Sequence, residues 1–364
     1  MRILLASASP ELAPAVAGVG EVVHVPVDAA PAEVSKGGFD ACVLVPASAQ
    51  DVAAAASIAS HGIPVVAVLP YPDAELTRAL MKAGATDVLF APSSEQVAAA
   101  LRTPRTPAPA PRRSGGPAGI VAVTGPQGGT GRSTVALNLA LLLAQRGPST
   151  VVLADLVPNH GILHVLCNLE PAVTLGDVVG PSGIDRDALA QALVPYEEGV
   201  RLLAAPPAPE GFTMHERDAD DLMDALAQTA DYVVADTERI LLPHTSAVLE
   251  RAHVVVCLCR MTVPGLRNLR AYMQSLVRRH IPVQKVLTVG LAHGGISQRQ
   301  VEEIVGIELA AVLPWDPVAV AAENEGVPVV LGAPRSRLAR AIARLADLVV
   351  ERLQAPGVEA AAGT

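Results

Sequence analysis

The segment 119–134, GIVAVTGPQGGTGRST, restricts the fold more than any other part of the chain. A run rich in β-branched residues comes first, a glycine loop follows, and the apolar stretch VALNLALLLA continues from it. β-branched residues favour a strand and an unbroken Ala/Leu run favours a helix. The order is therefore strand, loop, helix. In that order the loop's backbone N–H groups converge at the positive end of a helix, where an anion is well held. Gly128, Gly129 and Gly131 can take positive φ and let phosphate oxygens come close. Ser133 is placed to offer a hydroxyl to Mg²⁺, and Thr134 to touch an α-phosphate. The pattern GxxxxGK[ST] is not met, because Arg132 stands for the Lys and Pro126 for the first Gly. A strand–turn–helix junction without a ligand is the alternative reading of these residues.

The same alternation extends along the whole chain. Ahead of the loop, strands are predicted at 2–5, 22–26, 41–45, 64–69 and 87–90, and helices at 10–17, 49–60, 74–83 and 95–101. Strands that alternate with helices in this way predict a parallel sheet with helices on both faces. Behind it, strands are predicted at 120–124, 151–155, 201–204, 232–236, 254–259, 285–289 and 309–313. Helices are predicted there at 133–146, 218–229, 266–279, 297–305 and 336–353. Between the two series lies LRTPRTPAPAPRRSGGPA, rich in Pro and Arg and free of acid. Proline blocks both helix and sheet hydrogen bonding, so this stretch reads as a spacer. The expected organisation is a domain at 1–101, a linker at 102–118, a larger α/β domain at 119–356 and a tail at 357–364.

Composition narrows the function classes. Hydrophobic residues make up 51% of the 364 and charged residues 17%, which excludes global disorder. Aromatics are 2%, too few for a base-stacking platform, and a net charge of −9 disfavours a general polyanion-binding surface. A specific nucleic-acid partner is not expected. No signal peptide or apolar span of membrane length is read from the sequence, so a soluble, cytoplasmic protein is expected. Cys42, Cys167, Cys257 and Cys259 form no CxxC pair and read as buried thiols, Cys257 and Cys259 on one face of a strand. His160 and His164 are spaced like a metal pair but lack a third ligand, so packing or surface exposure is the preferred reading. Asp218, Asp220 and Asp221 read as charges at a helix start. Leu338, Ile342, Leu345 and Val349 form a stripe on the last helix that reads as sheet-packing.

Gln127-Gly-Gly-Thr-Gly-Arg-Ser-Thr134 resembles the deviant Walker A loop of the MinD/ParA ATPases, whose form is KGGxGK[ST][ST]. The stretch VVLADLVPNHG at 151–161 resembles their second motif, LLVDxDxQxG, and DYVVADT at 231–237 resembles their Walker B strand. LLAAPPAPE at 202–210 and AAVLPWDP at 310–317 are similar to the CpaE/TadZ branch, which serves Tad-type (Flp) pilus assembly. In the front domain, MKAGATDVL at 81–89 resembles the AGAxDYL segment of response-regulator receivers, and CpaE/TadZ proteins carry a receiver-like domain there.

The resemblance implies an N-terminal flavodoxin-like receiver domain and a larger P-loop α/β domain with a mostly parallel sheet. It implies that ATP is held by Gln127, Gly128, Gly129, Thr130, Gly131, Arg132, Ser133 and Thr134, and Mg²⁺ by Ser133, Asp155 and Asp236. Pro314 and Asp316 would lie on the adenine side. The implied partners are a second copy of the chain and pilus or secretion assembly proteins at the inner face of the membrane or the cell pole. A MinD/ParA-like positioning role in division or partition, or an active ATP-driven switch, are the alternatives.

The departures from these motifs carry expectations of their own. Gln127 stands where the family has its signature Lys, Val157 replaces the second acid of DxD, and Gly290-Leu291 stand where an adenine-contacting Asn is usual. Hydrolysis is therefore expected to be very slow or absent, because phosphoryl transfer depends on positioning and charge neutralisation. In the front domain Ser7, Val45 and Ala91 occupy positions that a working receiver gives to acids and Lys, so phosphorylation is not expected.

Overall fold

The computed structural model describes residues 1–9, 13–48, 51–71, 73–102, 118–146, 149–181, 183–206, 212–292 and 296–355. The predicted linker apart from its end residues, the predicted tail, residues 10–12 and 49–50 of two predicted helices, and residues 207–210 of one quoted motif lie outside these. The chain divides into two compact units, Met1–Ala108 and Pro109–Thr364.

The first unit has strands β1 (Arg2–Ala6), β2 (Glu21–Val25), β3 (Ala41–Leu44), β4 (Val65–Leu69) and β5 (Asp87–Phe90). They pair in parallel in the order β2-β1-β3-β4-β5, the flavodoxin-like doubly wound order. Period-two alternation along β1 explains the two layers. Ile3 and Leu5 pack with Val16, Val97 and Leu101 on one face, whereas Leu4 and Ala6 pack with Val34, Ile58 and Leu80 on the other. A helix at Ala30–Ser35 adds to the predicted set; it starts with Pro31 in its first turn, where a missing N–H costs nothing.

The second unit contains β6 (Gly119–Thr124), β7 (Val151–Leu156), β8 (Val179–Gly180), β9 (Gly183–Ile184), β10 (Leu193–Pro195), β11 (Val200–Leu203), β12 (Tyr232–Thr237), β13 (Val254–Arg260), β14 (Val286–Ala292) and β15 (Ala311–Pro314). Eight of them form one sheet, ordered β10-β11-β7-β12-β6-β13-β14-β15. All its pairs are parallel except β10 with β11. The central strands are apolar on both faces, as burial under helices on both sides demands: every residue of β7, including Asp155, is buried. The predicted strands are present with shifted ends. The short pieces β8, β9 and β10 are additional, because two or three residues carry no readable alternation.

The helix Arg132–Ala144 follows the glycine loop and is buried almost all round. Asn138, inside it, is satisfied at both ends: its Nδ2 donates to Thr134 O at 2.7 Å and its Oδ1 accepts from Val330 N at 2.9 Å. The last helix, Arg337–Gln354, buries Leu338, Ile342, Leu345 and Val349 in the same core as the sheet residues Val121 and Leu153, so the stripe packs as expected. The four cysteines are free and buried, and the pair on β13 needs no further chemistry. No helix among the described residues is long and apolar enough to cross a membrane.

Candidate functional site

β6 lies centrally in the sheet, between β12 and β13, and the glycine loop leaves its C-terminal end. The loop begins with a close approach: a Cβ on Gly125 would sit 2.3 Å from the carbonyl oxygen of Leu258 in β13. The turn is made by Gly129 at φ 63° and Gly131 at φ 70°, the latter capping the helix. Gly128, expected to share this left-handed geometry, does not adopt it; it is exposed, and a Cβ placed there would meet nothing within 4 Å. Its lack of a side chain leaves the loop surface open instead.

The loop's side chains divide their work. Thr130 is buried and its hydroxyl donates to Gln127 O at 3.2 Å, closing the turn. Arg132 curls back over the loop, its Nη1 2.6 Å from Gln127 O and 3.4 Å from Gly125 O. The Nε of Arg132 is buried without a partner among the described residues. Gln127 is turned toward β13, where its Oε1 accepts from Arg260 N at 3.4 Å. Thr134 Oγ1 donates to Glu323 Oε1 at 3.0 Å, and Ser133 Oγ donates to Asp236 Oδ2 at 2.5 Å.

Asp236 and Asp155 are register partners on β12 and β7, so the two carboxylates stand side by side under the loop. Both are buried. Asp155 is held by backbone donors, Leu163 N at 3.0 Å and Val157 N at 3.4 Å. Burial first, and then the charge of Asp236, push the Asp155 carboxyl above the usual carboxylate range. Burial also raises Asp236, against the opposing pull of the Ser133 hydroxyl and the Arg132 guanidinium. The Oδ1 of Asp236 has no partner among the described residues. A buried carboxylate oxygen without a donor is costly, and a hydroxyl and a carboxylate are the hard oxygen ligands that Mg²⁺ takes. Ser133 and Asp236 therefore fit this cation, with Asp155 beside them.

Above this pair opens a cleft of about 670 Å³, lined by residues 128–134 and by Val157, Asn159, His160, Ile162, Glu238, Arg239, Ile240 and Glu323. The structure brings the loop residues 128–134 together on this cleft, with Asp155 and Asp236 beneath it. Gln127 faces away toward β13. Pro314 and Asp316 are not among the lining residues; Pro314 ends the edge strand β15, and Asp316 Oδ1 accepts from Val318 N at 3.2 Å. His160 lines the cleft without His164, and no cluster of three metal-ligating side chains occurs among the described residues.

Several neighbours escape a reading of the sequence alone. Glu238–Ile240 directly follow Asp236-Thr237, so their position is legible in principle. Glu323 and Arg260 come from distant segments, and nothing in their spacing announces them. Asp231 proves structural: its Oδ2 accepts from Thr150 N at 2.9 Å and Thr150 Oγ1 at 3.0 Å. Asp218 caps its own helix by accepting from His215 N at 2.8 Å, while Asp220 pairs with Arg251.

No protein-family model matches the chain. It is 26% identical over 226 residues to the septum site-determining protein MinD of Helicobacter pylori, a match that spans 58% of this chain and 83% of that protein. A ParA family ATPase from Chlorobium tepidum superposes with a TM-score of 0.58 at 20% identity, over 63% of this chain and 97% of that one. MinD from Pyrococcus horikoshii, solved as a complex with Mg-ADP, superposes with a TM-score of 0.54 at 21% identity, over 64% of this chain and 96% of that one. With the strand–glycine loop–helix junction and the paired strand-end carboxylates, these likenesses establish that the chain carries the P-loop ATPase fold of the MinD/ParA family.

Proposed function

We propose that the larger unit binds ATP with Mg²⁺, associates as a homodimer, and serves as a positioning factor with very slow hydrolysis. The observation that carries this reading is the Ser133–Asp236 contact, with the unpartnered Asp236 Oδ1 beneath an open glycine loop. Loop N–H groups would hold the phosphates, Arg132 would leave its loop carbonyls to supply positive charge, and Ser133 and Asp236 would hold the cation. When bound, Mg²⁺ neutralises phosphate charge. The H. pylori relative is a septum site-determining protein, which favours a positioning role. The pilus assignment is the finer proposal, resting on the motifs at 202–210 and 310–317 and on a receiver-like first unit used for docking.

Slow turnover follows from two side chains. Val157 lines the cleft but has no oxygen with which to orient a water, and Gln127 adds no charge. Calorimetry with and without Mg²⁺, combined with light scattering, tests the reading. ATP binding that needs Mg²⁺ and doubles the mass is expected, and no heat of binding would refute it. Val157→Asp combined with Gln127→Lys should raise phosphate release by about tenfold or more, since charge-stabilising groups act on that scale. An unchanged rate in the double variant would remove this explanation of slow turnover.

A further inference from the structure

We infer that Arg260, which stands beside the glycine turn and not among the cleft-lining residues, binds the terminal phosphate of a nucleoside triphosphate held by the loop; this rests on the nucleotide-binding reading above. Arg260 is the last residue of β13, which lies beside β6 in the sheet, with Cys257 in register with Thr124. Running three residues past that register carries Arg260 over the loop that leaves β6. Its Nη2 donates to Gly129 O at 2.8 Å, and a Cβ on Gly129 would meet the same nitrogen at 3.0 Å. Its backbone N–H holds Gln127 Oε1. The side chain thus touches the loop at its glycine turn from the β13 side.

The charge on this side chain has no counterpart among the described residues. Arg260 forms no ion pair with any of them, and the sequence carries no Asp or Glu from 252 to 301. A guanidinium presents five N–H donors in a planar fork suited to phosphate, and here one contact to a carbonyl is made. An unpaired cation at the lip of an anion cradle is matched by an anionic ligand.

The direction of the ligand selects the phosphate. Thr134 marks the α-phosphate end of the loop, so a triphosphate laid along it ends near Gln127 and Gly129. Gln127 has no charge, and Arg132 reaches a phosphate only by giving up two loop carbonyls, Gln127 O and Gly125 O, where Arg260 gives up one. Arg239 lines the cleft from the β12 side and donates no hydrogen bond to the loop among the described residues, whereas Arg260 is hydrogen-bonded to the glycine turn itself from just outside that lining. Arg260 exchanges Gly129 O for a phosphate oxygen when the third phosphate is present and returns to the carbonyl when it is not.

The test uses the full chain as wild type, Arg260→Gln and Arg260→Lys, with a non-hydrolysable ATP analogue and ADP, each with Mg²⁺. Calorimetry should show Arg260→Gln weakening the triphosphate about tenfold, the scale of one charge-assisted hydrogen bond, and ADP less than about twofold. Lys should restore part of the loss, because it keeps the charge without the fork. The melting temperature of the ligand-free variants should match that of the wild type. Equal weakening of both nucleotides, or a lowered melting temperature that accompanies the loss, would identify a brace for the loop and overturn the assignment. Unchanged triphosphate affinity in Arg260→Gln would also overturn it while leaving nucleotide binding intact. A wild type that binds neither nucleotide would overturn the functional reading itself, and the assignment with it.

Discussion

Asp236→Asn should make the ligand-free protein more stable while removing Mg²⁺-dependent nucleotide binding. The two buried carboxylates beside each other raise one another's cost of ionisation, so removing one ionisable group relieves the fold. Asparagine keeps an oxygen for the Ser133 hydroxyl and carries no charge into the buried site. The gain should be about 1–3 kcal/mol, the scale on which burial and a like charge disfavour a carboxylate, read calorimetrically as about 2–4 °C for each kcal/mol. A lower melting temperature in the variant would contradict the account. The wild type carries the matching pH signature. A carboxyl whose pKa is raised in the folded state keeps its proton after the unfolded chain has lost its own. The pair therefore costs nothing below the unfolded value of about 4. It costs progressively more as pH rises toward the raised folded values, then no more beyond them. Asp236→Asn should flatten that decline between acid and neutral pH.

Gly125→Ala should cost about 2–4 kcal/mol in a denaturant titration. The added methyl group would stand 2.3 Å from a backbone carbonyl of β13, and neither strand can retreat without disturbing the centre of the sheet. Gly128→Ala is the control. Its Cβ would meet no atom within 4 Å, so its stability should stay within about 0.5 kcal/mol of wild type. Similar losses in both variants would mean that the loop, and not the contact with Leu258, sets the cost.

These two glycines also show how far the sequence can be read. The strand–loop–helix order is legible because a parallel strand buried on both faces is a continuous apolar run, and β6, β7, β12 and β13 all have that form. The carboxylates are legible because each falls at the end of such a run. The individual roles of the glycines are not. Gly125 matters because of Leu258, a residue far along the chain, and Gly128 does not need the backbone freedom that its neighbours Gly129 and Gly131 use. Arg260 and Glu323 are invisible for a related reason: tertiary packing brings them to the loop, and no local spacing encodes it. The direction in which Arg132 folds, back over its own carbonyls, depends on rotamer and burial.

Both borders of the large sheet end on an imino acid. β10 is three residues long and closes with Pro195, while β15 is four residues long and closes with Pro314. Proline offers no N–H to a further strand, and so short a border gives an incoming chain little to zip against. Addition of a further strand at either flank of this sheet is thereby discouraged.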